Sequence, residues 1–309
     1  MMEHFIPSAL APVFPNELID VIVRMTVICC PESKGTLNTV SRRVSHTADA
    51  AHYRHVAFDT IDELLNFHQL CVKKEHIAES VRTMLIFSID GNARDDDAIA
   101  HTISRLARRC SRIRRLVAYI RVTHQMKPTT AIPCIGDLPL RHLLADFSIA
   151  SILTVTPPPA LLATLTHLDL REVHTLSCRS GLLAEINAIA ELASLTHLAL
   201  SFDPTETPVS FIETESFRRC AGLHLLVLVP LPGDWAIKDL RTSDTRVAVL
   251  PAYEWGLEAE GCFLWRQALV CLAAAQPHED VKRWPPPFFS ASCDSPWSAD
   301  LVPDHAFHV

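Results

Sequence analysis

Apolar and polar positions near the N-terminus recur with the period of an amphipathic helix. The apolar face consists of Leu18, Val21, Ile22 and Met25, and Ile19 widens it. Asn16 directly follows Pro15 and is a suitable N-cap, while Pro31 ends the helix at the latest. We therefore predict one helix between these two prolines.

A second helical stripe follows after a polar turn. It comprises Leu37, Val40, Ser41, Val44 and Ala48, and Ser33 or Thr36 can cap it. Residues 1–60 are thus predicted to form a domain of two or three short helices. A module of this size has a marginal core and commonly gains stability from a partner, although the same periodicity also suits a helical cap on a larger domain.

The middle of the chain carries a repeat. Residues 162–170 read Leu-x-x-Leu-Thr-His-Leu-Asp-Leu, and residues 192–200 read Leu-x-x-Leu-Thr-His-Leu-Ala-Leu, 30 residues later. Weaker copies give anchor leucines at Leu116, Leu143, Leu168, Leu198 and Leu226, and Val247 with Val249 forms a possible last copy. Spacings of this kind are typical of leucine-rich repeats, here of irregular length.

Each copy predicts a short strand whose leucines point inward, followed by a helical segment such as the one containing Leu182, Ile186 and Ile189. Such units bury their apolar faces by stacking, so we predict an α/β fold over residues 61–275: a curved parallel sheet backed by helices, like an irregular leucine-rich-repeat solenoid. An ordinary doubly wound α/β domain is the alternative, but it usually carries glycine-rich strand-to-helix turns, and none is evident in the sequence. Residues 276–309 are predicted to be a loosely ordered, proline-rich tail.

Composition and charge narrow the function classes. With 49% hydrophobic and 20% charged residues, the 309-residue chain is not largely disordered. Its net charge of −7 argues against nucleic acid as the main partner. The basic segment 105–115 suits the solvated face of a helix leading into a strand, with an RNA or phosphate patch as the alternative. The sequence shows neither a membrane span nor a signal core, so we expect a cytoplasmic or nuclear protein without a membrane partner.

No motif in the sequence indicates a cofactor, a metal or a reaction. The ten cysteines form no Cys-x-x-Cys pair and are interpreted as small core residues in a reducing compartment. The eight glycines form no nucleotide-binding motif, and no nucleophile elbow or zinc-protease helix is present. We therefore expect a non-enzymatic protein with no cofactor and no metal.

Three segments of the N-terminal region carry a resemblance to a known family. Residues 14–22 read Phe-Pro-Asn-Glu-Leu-Ile-Asp-Val-Ile, residues 36–44 contain Leu-Asn-Thr-Val-Ser-Arg, and residues 52–58 contain Tyr-Arg-His-Val-Ala-Phe. In this order they resemble an F-box. The resemblance implies contact with the Skp-type linker of a cullin-RING ubiquitin ligase through Phe14, Pro15, Leu18, Ile19, Ile22, Leu37 and Val40.

The complete order of segments is similar to that of a wider group. An F-box followed by irregular leucine-rich repeats and a closing stretch with Trp255 and Trp265 resembles the F-box-like proteins abundant in mushroom-type fungi. The resemblance implies a substrate-recognition adaptor for protein degradation. The alternative is a non-catalytic scaffold or dimerising interaction module that acts independently of the ligase.

One face of the predicted sheet offers candidate substrate-binding residues. They are His142, His167, Asp169, Arg171 and His197, all at positions that alternate with inward leucines. The three histidines each precede an anchor leucine, so they are expected to form a row across neighbouring strands. A metal-binding or pH-sensing row is one interpretation, and three solvated histidines on a substrate-binding surface is the favoured one.

Overall fold

A computed structural model describes residues 15–86, 96–118, 135, 138–146, 149–150, 159–171, 178–231, 242, 244–250 and 263–275. Phe14 and the predicted tail therefore lie outside the described residues. The chain divides into two compact units, residues 1–54 and 55–309. Residues 55–58, which the resemblance assigns to the end of the F-box, form the first strand of the second unit.

The described part of the first unit, residues 15–54, contains three helices and one 3-10 turn. They are α1 (Asn16–Cys29), the 3-10 turn Pro31–Ser33, α2 (Lys34–Val40) and α3 (Arg42–His52). The predicted second stripe divides at Ser41, whose hydroxyl accepts a hydrogen bond from the Val44 amide and so caps α3. The expected N-cap at Asn16 is wrong by one residue: Pro15 occupies that position and Asn16 begins the helix.

In the second unit, the strands of the described residues form a single parallel sheet. Its strands are β1 (His55–Phe58), β2 (Thr83–Ile86), β3 (Arg115–Ala118), β4 (His142–Ala145), β5 (His167–Leu170), β6 (His197–Phe202), β7 (Leu225–Pro230) and β8 (Val247–Val249). Its helices are α4 (Ile61–Lys73), α5 (Glu75–Ser80), α6 (Asp96–Arg109), α7 (Pro159–Thr164), α8 (Arg179–Ile189), α9 (Val209–Arg219) and α10 (Phe263–Ala275). The eight strands lie in the order of the chain.

The predicted anchor leucines lie in register across neighbouring strands. The five anchor leucines pair directly across β3 to β7 in the series Leu116, Leu143, Leu168, Leu198 and Leu226, and Val247 continues it on β8. The fold is therefore α/β and solenoid-like. A doubly wound sheet reverses its strand order at one point, whereas the order of the eight described strands never reverses.

Both faces of the sheet are buried over most of its width. The inward leucines of β5 and β6 have no exposed surface, as predicted. On the opposite face, Ala57, Leu85, Val117 and Leu144 form a buried apolar row across β1 to β4. Strands buried on both faces read as continuous apolar runs, as the Leu-Leu-Val-Leu-Val of β7 does.

The predicted position of the basic segment is confirmed, whereas the interpretation of the cysteines holds for only some of them. As predicted, the basic segment runs from the end of α6 into β3, with Arg105, Arg108, Arg109, Arg112 and Arg114 exposed. Of the cysteines in the described residues, Cys71, Cys110 and Cys220 are buried. The interpretation of all cysteines as core residues is wrong, because Cys29, Cys30, Cys178 and Cys271 are exposed.

Candidate functional site

Helix α1 carries two separate apolar faces. Ile19, Val23 and Val27 lie four residues apart and pack with Val44 and Ala48 of α3 in the core of the first unit. The second face points to solvent and consists of Leu18, Val21, Ile22, Met25 and Ile28, which we call the α1 stripe. Leu18 is 42% exposed and Ile22 is 50% exposed. The stripe is therefore not needed to build the core of its own unit.

The seven residues implied as linker contacts fall into three groups. Four of them are exposed: Pro15, Leu18, Ile22 and Val40. Ile19 and Leu37 are partly buried and pack against the core of the first unit. Phe14 lies outside the described residues. Leu18 and Ile22 thus share one solvent-facing surface, and Ile19 and Leu37 support the helices from the inside.

Polar contacts brace the helices that carry the stripe. Arg43 of α3 donates to both carboxylate oxygens of Asp20 on α1, at 3.2 and 2.7 Å, and the Thr47 hydroxyl donates to Asp20 at 3.1 Å. The hydrogen bonds from Arg43 hold the pKa of Asp20 below its usual value. Lys34 of α2 lies 3.3 Å from the Asp49 carboxylate and 3.9 Å from the centre of the Tyr53 ring. The unit presents the stripe on a fixed three-helix frame.

On the sheet, the three predicted histidines do form a row. His142, His167 and His197 are direct neighbours in the strand register. Their rings stack in nearly parallel planes, with centroids 4.2 Å apart for His142 and His167 and 4.1 Å apart for His167 and His197. The hydroxyls of Thr166 and Thr196 lie 2.9 and 2.8 Å from Nδ1 of the histidine that follows each of them.

The expectation that this surface is solvated is wrong. His167 is 8% exposed, and Asp169 and Arg171 are each 3% exposed. Arg171 donates to Asp169 through Nε at 3.0 Å and through Nη2 at 2.6 Å, so the two side chains form a buried ion pair. Burial lowers the pKa of His167 to about 2 and that of His197 to about 4, which keeps both imidazoles neutral at pH 7.

Helix α10 is the reason for much of this burial. The Trp265 ring makes T-shaped contacts with the rings of His167 and His197, with centroid distances of 5.4 and 5.6 Å. Leu264 and Ala268 pack against the same face of the sheet in a cluster with Ala199, Leu225, Val227, Val229, Ala248 and Leu250. A helix therefore occupies the part of the face that β6 to β8 form.

The histidine row is not built to chelate a metal ion. A metal ion lies in the plane of each imidazole that ligates it, at about 2.0–2.1 Å from the nitrogen. Rings stacked in nearly parallel planes share no such point. Within the described parts of the chain, no group of three or more His, Cys, Asp or Glu side chains is placed to hold a metal. The cleft beside the row, lined by residues including Arg115, His142 and Trp265, encloses about 20 Å³, which is room for one water molecule.

Three residues of the α1 stripe were not among the linker contacts that the resemblance implies. Helical periodicity placed Val21 and Met25 on the apolar face, and Ile28, ten residues after Leu18, continues the same spacing. Trp265 was noted only as part of the resemblance. The apolar character of residues 263–275 was the available signal for the helix found there, but nothing in the sequence indicated which face of the sheet it covers.

Comparisons with known proteins add no family. A scan against protein-family models finds no match, and a search of curated proteins finds none. None of the helices in the described residues is long and apolar enough to cross a membrane. The F-box resemblance stays a prediction from the residues that carry it.

Proposed function

We propose that the chain is a substrate-recognition adaptor of a Skp-cullin-F-box ubiquitin ligase. In this proposal the first unit binds a Skp-type linker through the α1 stripe together with Pro15 and Val40. The second unit binds a protein substrate and brings it to the ligase. The adaptor itself carries out no chemistry.

One observation carries the proposal: the exposed apolar stripe of α1. Five large apolar side chains on one helix face, in a unit of only 54 residues, form the kind of contiguous surface that marks a protein-binding site. Leu18 and Ile22, two of the contacts that the F-box resemblance implies, lie in this stripe. Residue pattern and exposure therefore support the same surface.

Most of the predicted substrate-binding residues on the sheet are not accessible to a substrate. His167, Asp169 and Arg171 are buried, so they first stabilise the second unit. His142 and His197 are half-buried, and direct contact of a substrate with the whole row requires α10 to move away. We place the first substrate contact on exposed residues near this face.

Co-elution tests the adaptor proposal. The full chain is purified alone and together with a Skp-type linker, and both samples are analysed by size-exclusion chromatography with light scattering. We expect a monomer alone and a one-to-one complex with the linker. A chain that forms a dimer alone and does not co-elute with the linker would instead favour the alternative of a scaffold. In that case a second copy of the chain would cover the α1 stripe.

A further inference from the structure

The residues that precede three neighbouring strands occupy equivalent places in the repeat. The Arg82 carbonyl accepts hydrogen bonds from the Arg114 and Arg115 amides, at 2.8 and 3.1 Å. The Arg114 carbonyl accepts in the same way from Arg141 and His142, at 2.7 and 3.0 Å. Arg82, Arg114 and Arg141 therefore follow one another along the edge where β2, β3 and β4 begin, and we call them the arginine edge.

Positive charge is concentrated at this edge. Residues 98–118, which follow Asp95, Asp96 and Asp97, contain six arginines and no acidic residue, in a chain whose net charge is −7. Arg112, Arg114 and Arg141 are exposed, and no carboxylate of the described residues forms an ion pair with any of them. In the next two repeats Thr166 and Thr196 stand at the equivalent place, so the run of arginines does not extend beyond β4.

The arginine edge is suited to carboxylates. A guanidinium offers a planar fork of donors that matches a carboxylate in a bidentate pair. Arg82 is held in place because its Nη1 donates to the Glu79 and Val81 carbonyls, at 2.7 and 3.0 Å. Strands lie about 4.8 Å apart, so three successive positions span about 10 Å, the length of three or four residues of extended chain.

We propose that the arginine edge, extended by Arg112, binds an acidic segment of a partner protein. This assignment deepens the adaptor proposal and rests on it, because it gives the substrate class as a protein with an exposed run of Asp and Glu. Nucleic acid fits the edge less well. Single-stranded nucleic acid is usually held by aromatic side chains that stack on bases, and residues 98–118 and 138–146 contain no Phe, Tyr or Trp.

The test uses the full chain and a defined probe. The probe is a fluorescein-labelled peptide of alternating Asp and Glu, and binding is measured by fluorescence anisotropy. We expect the double variant R114Q/R141Q to bind the probe about tenfold more weakly, since two exposed charge pairs are lost. The matched control is R24Q/R42Q, which removes two exposed arginines of the first unit and should change the affinity less than about twofold.

Three further measurements examine the geometry of the arginine side chains, the role of charge and the folding of the variants. The variant R114K/R141K keeps the charge without the fork, so we expect it to restore part of the affinity. Raising the salt concentration from about 50 to 200 mM should weaken wild-type binding. Circular dichroism checks that each variant is folded.

The proposal is overturned if the wild type does not bind the acidic peptide, or binds a matched Asn/Gln peptide equally well. It is also overturned if R24Q/R42Q loses as much affinity as R114Q/R141Q, or if a single-stranded RNA of equal charge binds more tightly than the peptide. Linker co-elution is scored on the same proteins. A chain that binds the acidic peptide and not the linker refutes the adaptor role and leaves the acidic-segment site in place.

Discussion

Asp169 and Arg171 neutralise each other inside the second unit. Neither side chain has more than 4% of its surface exposed, and their closest contact is 2.6 Å. Removing one member of such a pair leaves a buried charge without its counterion, which is far more destabilising than losing a surface pair. These two residues are therefore expected to matter for folding before they matter for binding.

Arg171→Met tests the buried pair. We expect it to lower the free energy of unfolding by about 3–5 kcal/mol, because the Asp169 carboxylate stays buried without the Arg171 guanidinium. Arg218→Met is the control: Arg218 pairs with Glu215 but its side chain is 57% exposed, so its loss should cost less than about 1 kcal/mol. Urea denaturation followed by circular dichroism measures both. Equal effects of the two variants would contradict the buried pair.

The neutral imidazoles of His167 and His197 make the stability of the second unit depend on pH. An unfolded histidine binds a proton near pH 6.5, whereas burial lowers the pKa of His197 to about 4 in the fold. Between these values the unfolded state binds more protons, so the free energy of unfolding falls as the pH falls. His197 alone contributes up to about 2 kcal/mol of this loss between pH 6.5 and pH 5.

Urea denaturation at pH 7 and pH 5 measures the loss, with His197→Asn to isolate this residue. We expect the variant to lose less stability than the wild type between the two pH values. His101→Asn, at an exposed position of α6, should keep the wild-type difference. The same pH difference in wild type and His197→Asn would show that His197 is not held neutral.

Among the secondary-structure elements, the strands that follow the leucine pattern could be predicted from the sequence. The strands without this pattern could not be predicted. Leu116 to Leu226 mark β3 to β7 because an inward leucine at a fixed place in each repeat is a local signal. The first two strands, His55–Phe58 and Thr83–Ile86, lack that signal. Non-local contacts were also hidden: Glu185 of α8 accepts hydrogen bonds from the amides of Ile149 and Ala150.

For the histidine row, the position in the strand register could be predicted but the burial could not. Its place in the register could be predicted, since each histidine directly precedes an anchor leucine. Its burial could not, because α10 comes almost 70 residues after His197 and the sequence does not say where that helix packs. For the α1 stripe, periodicity indicated the apolar residues, and only the packed structure separated the core face from the exposed one.

Trp265→Ala tests the packing of α10. Trp265 contacts the histidine row and the apolar cluster of β6 to β8, so its loss should lower the free energy of unfolding by about 3–5 kcal/mol. Val270→Ala is the matched control on the same helix, where an exposed side chain should contribute less than about 0.5 kcal/mol. Thermal denaturation of both variants measures the difference, and two equally stable variants would mean that α10 does not pack on this face.

For the whole molecule, the two units offer surfaces of different chemistry. The first unit presents an apolar stripe on a braced three-helix frame. The second unit presents Arg112, Arg114 and Arg141, which are exposed and form no ion pair with a carboxylate of the described residues, in a chain of net negative charge. An apolar surface and a cationic one are suited to different partners, as an adaptor between a ligase and its substrate requires.

The affinity of the full chain for a Skp-type linker, measured by isothermal titration calorimetry, tests the adaptor proposal most directly. Two variants carry the comparison: Ile22→Asp in the α1 stripe and Val72→Asp on α4, because both side chains are 50% exposed and lie on helices. A carboxylate buried in an apolar interface costs several kcal/mol, so Ile22→Asp should weaken linker binding at least about 100-fold. Val72→Asp should leave it unchanged. Equal linker affinity for the wild type and Ile22→Asp would contradict linker binding through the α1 stripe.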